Sequence, residues 1–376
     1  MNQTFANAQV VQRDRTRLGW VRVEEGIVVE IGDGERVQPE AIDFQGAFLT
    51  PGLVDIHTDN LEKHVQPRQQ VRWDPVTAAI AHDAQIIGAG ITTVFDALAF
   101  IGGREKNDRP AMIRPMVEGL RQAANMDALK ADHFLHLRCE VSDPEVMPLV
   151  EPFIGDPLVR MLSIMDHTPG QRQFRDLDKW REAYASWTDE DLDELYKRKT
   201  RAQTELAPIQ RDGIARLARE MGAIIASHDD ETAEHIQIAA DLSVRISEFP
   251  VTFEAAEAAR ANGLSIAMGA PNLVRGGSHS GNVSAASLAK AGLLDILASD
   301  YVPVAMMQAA LCLTRPPHEM PLHQALATVT WRPAEAAGLT DRGAIETGKK
   351  ADLLHLQVAH DTPVIKAVWR SGTRVA

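Results

Sequence analysis

Cysteine is almost missing from this chain of 376 residues: Cys139 and Cys312 lie far apart and form no CxxC pair, which leaves no material for a disulfide scaffold. Both thiols are predicted to be buried and structural, as in a reduced cytoplasmic protein. Positive charge is also short. Lys+Arg number 39 against 52 Asp+Glu, a net charge of -13, which excludes general-surface binding to nucleic acid or to an anionic membrane but leaves room for local cations around a phosphorylated small molecule. Long apolar runs are lacking as well: 86–101 is interrupted by Gly and Asp and falls short of a membrane span. The first 20 residues carry Arg13, Arg15 and Arg17 without an apolar stretch of signal-peptide length, so export is not expected and a cytoplasmic location is. No GxGxxG follows an early strand and no P-loop GxxxxGK[ST] occurs, which sets aside dinucleotide and P-loop chemistry. Solenoid periods and low-complexity tracts are absent too.

What is present is ordinary globular material, with 45% hydrophobic and 24% charged residues. Both ends read as short β-strands broken by turns. Near the N-terminus these are 18–23, 26–29 and 47–49, with Gly32-Asp33-Gly34 between; near the C-terminus they are 351–356 and 364–369, with a turn at Ser371-Gly372. Between the ends, apolar runs alternate with helical stretches, at 53–56, 92–97, 134–139, 159–165, 223–226, 244–249, 264–268 and 293–298. That alternation predicts an α/β fold, a (β/α)8 barrel over 51–340, flanked by a small composite β-sandwich built from 1–50 and 341–376. One stretch breaks the rhythm: 172–220 is long, charged and helical, with Thr188 and Asp191 resembling a capping box. It reads as a lid, a solvated helix pair or a contact between copies of a homo-oligomer.

In such a barrel, function sits at the C-terminal ends of the strands. Just past the predicted strands stand His57 and Asp59, Glu140, His167, His228 and Asp229, and Asp300. A single His or Asp there is usually only hydrogen-bonded, but several nitrogen and oxygen ligand types at one end of one barrel point to a metal centre. Imidazole and carboxylate suit Zn²⁺, Mn²⁺ or Fe²⁺, and a bridging carboxylate allows one ion or two. Such an ion lowers the pKa of a bound water from about 15.7 to about 7.

Pro51-Gly52-Leu53-Val54-Asp55-Ile56-His57, Gly90-Ile91-Thr92-Thr93-Val94 and the stretch from Gly343 to Leu353 resemble the amidohydrolase superfamily, with Asp59 where the usual His-x-His signature has its second His. No carboxylatable Lys occupies the place of Glu140. Four further segments narrow the resemblance to the phosphonate-pathway diphosphatases of that superfamily: 57–64, 137–140, 166–171 and the Gly/Ser-rich 269–282. The resemblance implies hydrolysis of α-D-ribose 1-methylphosphonate 5-triphosphate to the 5-phosphate and pyrophosphate. It also implies a mono- or binuclear centre, Zn first, with Mn or Fe as alternatives.

Taken together, His57, Asp59, Glu140, His167, His228 and Asp300 are the expected ligands, with Asp300 also accepting a proton from the attacking water. The run Arg275, Gly276, Gly277, Ser278, His279 is expected to cradle phosphate, supported more weakly by Lys63 and Arg172. The partner is then a small phosphorylated sugar phosphonate. A C–N hydrolase of the same superfamily, a deacetylase or deaminase, is the alternative; a silent scaffold protein is a rival that the intact ligand set disfavours.

Overall fold

The computed structural model describes residues 2–35, 39–68, 71–102, 109–188, 190–277 and 281–376. Five strands open the chain: β1 (Gln3–Val11), β2 (Thr16–Glu24), β3 (Ile27–Asp33), β4 (Ile42–Asp43) and β5 (Phe48–Pro51). Eight more follow, β6 (Leu53–Thr58), β7 (Ile91–Phe100), β8 (Asp132–Glu140), β9 (Val159–Met165), β10 (Ile224–His228), β11 (Ile246–Glu248), β12 (Ser265–Gly269) and β13 (Ile296–Ala298). Three close it, β14 (Leu353–Ala359), β15 (Thr362–Arg370) and β16 (Thr373–Arg374).

The strands β6 to β13 form one sheet in sequence order, and each successive pair is parallel. Closure is asymmetric. At the C-terminal end Asp59 N donates to Asp300 O at 2.7 Å and Asp300 N to His57 O at 2.9 Å; lower down, Val54 N and Leu297 N turn instead to Val329 O and Thr328 O. This is the predicted (β/α)8 barrel, and every predicted run overlaps one of its strands.

The period of two along each strand sorts its side chains between two layers. Val54, Ile56, Phe95, Met161, Ala226, Ile246, Ala267, Ile296 and Ala298 fill the interior, closed by Ala334 to Leu339. Alternate residues such as Leu135, Leu137, Cys139, Ile225 and Leu297 face the helices outside. Continuing that alternation to the strand ends points Arg138, Glu140, His228, Glu248 and Asp300 inward. The same rule sends Asp96 and His133 outward.

The terminal strands form a second, mixed sheet in the order β16-β15-β14-β5-β1-β2-β3, with β4 beside β1. Its two halves join where Leu353 to Leu356 of β14 pair antiparallel with Phe48 to Pro51 of β5. The sheet curls over its own core: Phe5 of β1 and Trp369 of β15 have ring centroids 5.0 Å apart, although three strand steps of a flat sheet would separate them by roughly 14 Å. Phe44, Val21, Val28 and Leu353 complete that core.

The long helical segment consists of helices Leu177–Trp187, Leu192–Glu205 and Ala207–Met221. The capping residue of the second is Asp191, whose side chain accepts from Asp193 N and Glu194 N, not Thr188 as the sequence suggested. Thr188 Oγ1 accepts from Glu190 N instead, because the chain is still extended there.

Candidate metal centre

The inward-pointing polar residues meet at the C-terminal mouth of the barrel. His57 Nδ1 is 3.0 Å from Glu248 Oε1, and His228 Nδ1 is 3.5 Å from Glu248 Oε2. One buried carboxylate thus engages the same nitrogen of both rings and turns each Nε2 toward the mouth, the usual way a second carboxylate orients a metal-binding imidazole. Glu140 does the same for His167: its oxygens accept from His167 Nδ1 at 2.9 Å, His167 N at 3.0 Å and Ser142 Oγ at 2.5 Å. Glu140 thus meets His167 from behind, and a different carboxylate stands nearest the His167 and His228 Nε2 atoms.

That carboxylate is Asp229. Its Oδ2 lies 3.6 Å from His167 Nε2 and 3.5 Å from His228 Nε2, and it is buried without a hydrogen-bond partner among the described residues. Ligands about 2.0–2.1 Å from a tetrahedral ion stand roughly 3.3–3.5 Å from one another, so both separations are close to those of neighbouring ligands, and the ligand atoms of the three residues lie within 4.8 Å of one another. A second group adjoins it: His57 Nε2 is 3.8 Å from Asp59 Oδ1, and Asp300 completes the trio. The donor chemistry fits one or two divalent ions. Asp229 and Asp300 both take left-handed backbone, φ 54 and 57, which aspartate tolerates and which re-aims a side chain at a strand end. Gly269 leaves room for this, since a β-carbon there would lie 3.2 Å from Asp300 Oδ2.

Electrostatics separates the carboxylates. Burial, with Asp59 nearby, lifts Asp300 to about 6 against the pull of His57 and Arg138. Burial also works against Asp59, but Arg138, then His57 and Arg109, outweigh it and hold that carboxyl below its usual range; Arg138 Nη1 donates to Asp59 Oδ1 at 2.7 Å. His167 is raised to about 9, because Asp229 and Glu140 overcome its desolvation.

The cavity above holds about 560 Å³ and is lined by His57, Asp59, His228, Asp229 and Asp300 at its floor, with Arg138, Arg275, Gly277 and Asn282 on its walls. Of the expected phosphate cradle, Arg275 and Gly277 line this cavity, whereas Gly276 caps helix Ala270–Arg275. Ser278 and His279 lie outside the described residues. Lys63 is exposed and donates to Tyr301 O at 2.7 Å, beside the cavity wall. Arg172 is not brought to the cavity: it is buried beneath the site, its Nη1 donating to His228 O at 2.9 Å and Asp230 Oδ1 at 2.8 Å. It supports the strand end that carries His228 and Asp229.

Sequence reasoning missed Glu248, His136 and Arg138 because they point inward from within a strand, not from the loop after it. His136, 3.7 Å from Glu248 Oε2, is pushed down to about 3 by burial. Strand alternation was the available signal.

A hydrolytic metal barrel is the class that this fold and floor define, and comparison with known proteins agrees. The model of the amidohydrolase family matches residues 168–376. The α-D-ribose 1-methylphosphonate 5-triphosphate diphosphatase of Escherichia coli (strain K12) is 40% identical over 373 residues, covering 98% of this chain and 99% of that protein. The chain belongs to the amidohydrolase family and is a hydrolase. Solved structures share the fold at low identity. They include N-acetyl-D-glucosamine-6-phosphate deacetylase from Mycobacterium smegmatis (TM-score 0.66, 16% identity, 100% of both chains). A second is 5-methylcytosine deaminase from Klebsiella pneumoniae (0.67, 14%, 100% of this chain and 98% of that one).

Proposed function

We propose that this chain is a metal-dependent diphosphatase that hydrolyses α-D-ribose 1-methylphosphonate 5-triphosphate to the 5-phosphate and pyrophosphate in phosphonate catabolism. The observation that carries the reading is the 40% identity, over nearly the full length of both chains, to a protein of that name. The mouth supports it chemically. His57, His167 and His228 with Asp59, Asp229 and Asp300 would hold one or two divalent ions, which when bound would supply a nucleophilic water at neutral pH and Lewis acidity at phosphorus. Asp300, at the same floor, would accept the water's proton as oxygen attacks the phosphorus nearest the sugar and the bond to the leaving pyrophosphate breaks. Arg138 keeps Asp59 ionised, and Glu248 and Glu140 hold the three imidazoles in one orientation. Residues 51–340 carry the chemistry in this reading, and 1–50 with 341–376 form the flanking unit. No helix among the described residues is long and apolar enough to cross a membrane, and we place the reaction in the cytoplasm.

Phosphorus NMR of the products formed from the ribose triphosphate tests this, with a nucleoside triphosphate as control. Pyrophosphate and the sugar 5-phosphate are expected, and Asp300→Asn should lower turnover by at least about a hundredfold while retaining the fold. Release of acetate or ammonia from a C–N substrate, with the triphosphate untouched, would move the reaction to the other branch of the family.

A further inference from the structure

Just past β11 stands a residue whose backbone two local preferences oppose. Phe249 has φ 55, a region that bulky side chains rarely enter, and it precedes Pro250, which ordinarily pushes its neighbour into extended backbone. Three hydrogen bonds hold the loop there: Phe249 N donates to Ala267 O at 2.8 Å, Val251 N to Asp230 O at 2.8 Å, and Val283 N to Val251 O at 3.1 Å. Backbone kept off its preference in this way collects at functional sites. In this loop it brings the Phe249 ring against both imidazoles that Glu248 orients. The ring centroids are 5.0 Å from His57 and 5.2 Å from His228, with the planes crossed at 75° and 89°.

Phe249 also lines the cavity, together with Pro250, Val251, Met268 and Val283. The same hydrogen bonds tie β11, β12 and Val283 to one another, so these residues make a single apolar wall that begins at the metal-binding imidazoles. The cationic lining comes from elsewhere: Arg138 from β8, three strands from β11 around the barrel, and Arg275 from the segment after β12, bonded to the Tyr301 hydroxyl. A triphosphate ester poised over the floor has two unlike ends. Its pyrophosphate end is anionic and strongly hydrated, and an apolar wall returns nothing for the water it would lose. Its sugar end is one ester oxygen away from the reacting phosphorus, and the C–H groups of a furanose gain by leaving water against such a wall.

We propose that Phe249, Pro250 and Val251, with Met268 and Val283, form the subsite for the organic end of the substrate, the furanose of a sugar 5-triphosphate, and that this wall sets a preference for sugar phosphates over inorganic ones. The assignment rests on the phosphoanhydride reading above. The test titrates ribose 5-phosphate and inorganic phosphate calorimetrically into the metal-loaded protein. The ratio of the two affinities is the readout, because damage to the metal centre moves both alike. Wild type should favour ribose 5-phosphate by at least about tenfold, and Phe249→Gly, a substitution that left-handed backbone accepts, should lose most of that preference. Val251→Ala shortens the same wall while keeping both aromatic contacts to the imidazoles, and it should lose about threefold. It also keeps the test open if the Phe249 variant does not fold. A ratio equal to wild type in either folded variant, or a wild type that does not distinguish the two ligands, would overturn the subsite. A wild type that favours ribose 5-phosphate through this wall yet releases no pyrophosphate from the ribose triphosphate would leave the subsite standing and sink the reaction.

Discussion

Two clusters of histidine and aspartate sit on opposite faces of the same barrel wall, one inside at the mouth and one outside under helix Pro75–Gly88. In the outer cluster His82 Nε2 is 2.7 Å from Asp96 Oδ1, and His133 Nδ1 is 2.8 Å from Asp96 Oδ2. His133 Nε2 lies 3.2 Å from Asp83 Oδ1, and Asn60 Nδ2 is 3.1 Å from His82 Nδ1. Asp83 also accepts from Lys130 N and Ala131 N at 2.9 and 2.8 Å. Every ring nitrogen there has a hydrogen-bond partner, and His133, bonded to a carboxylate through each nitrogen, is an imidazolium raised to about 9 by Asp96 and Asp83 in spite of its burial. In the mouth cluster the Nε2 atoms stand 3.5–3.8 Å from carboxylate oxygens, and Asp229 Oδ2 has no hydrogen-bond partner among the described residues. The same residue types therefore do two jobs. Spacing separates them: hydrogen-bond distances close the outer cluster on itself, and the inner one keeps separations nearer to those between ligands of one ion.

Cutting the outer network should give the largest change in stability. Asp96→Asn leaves the buried His133 cation short of one of its two anions, which should destabilise the fold by about 3 kcal/mol or more, read by denaturant unfolding. Metal content and the KM of the surviving folded protein should match wild type. A loss of bound ion in this variant would erase the distinction between the clusters.

A smaller effect sharpens the comparison through pH. His133 rises from an ordinary 6.5 to about 9 in the fold, so its contribution to stability is fully present below 6.5 and is lost as pH rises through about 9. The stability gap between wild type and His133→Gln should be widest below pH 6.5 and close toward pH 9 and above. A gap that stays constant across that range would show that the imidazolium is not what holds His82 and Asp96 together.

Much of the barrel was legible from the sequence because parallel strands buried on both faces read as continuous apolar runs. The flanking strands were read in part. The central strand β1 was missed, because Gln3, Thr4, Asn7 and Gln9 interrupt its apolar residues and hide the alternation. For the site, His57, Asp59, His228 and Asp300 emerged from the rule of looking just past a strand, and the structure brings them to one floor. Glu248 did not, because it falls within the run 244–249 and its inward direction is fixed only once Ile246 is known to face the interior. The surroundings of Glu140 were hidden for a related reason: a carboxylate's position in a sequence says nothing about whether backbone N–H groups and a hydroxyl will claim its oxygens, as His167 N and Ser142 claim those of Glu140. Arg172 followed the same pattern, since a basic residue near the mouth was read as a phosphate ligand while its guanidinium had Asp230 beneath the floor.

The most direct test is a titration of Zn²⁺ into chelator-treated protein, comparing wild type with His228→Gln at the mouth and His82→Gln in the outer cluster. Stoichiometric binding of one or two ions by wild type and His82→Gln, with loss of at least one ion from His228→Gln, is the expected result. Binding that survives in His228→Gln and disappears in His82→Gln would place the ion outside the barrel and contradict the account.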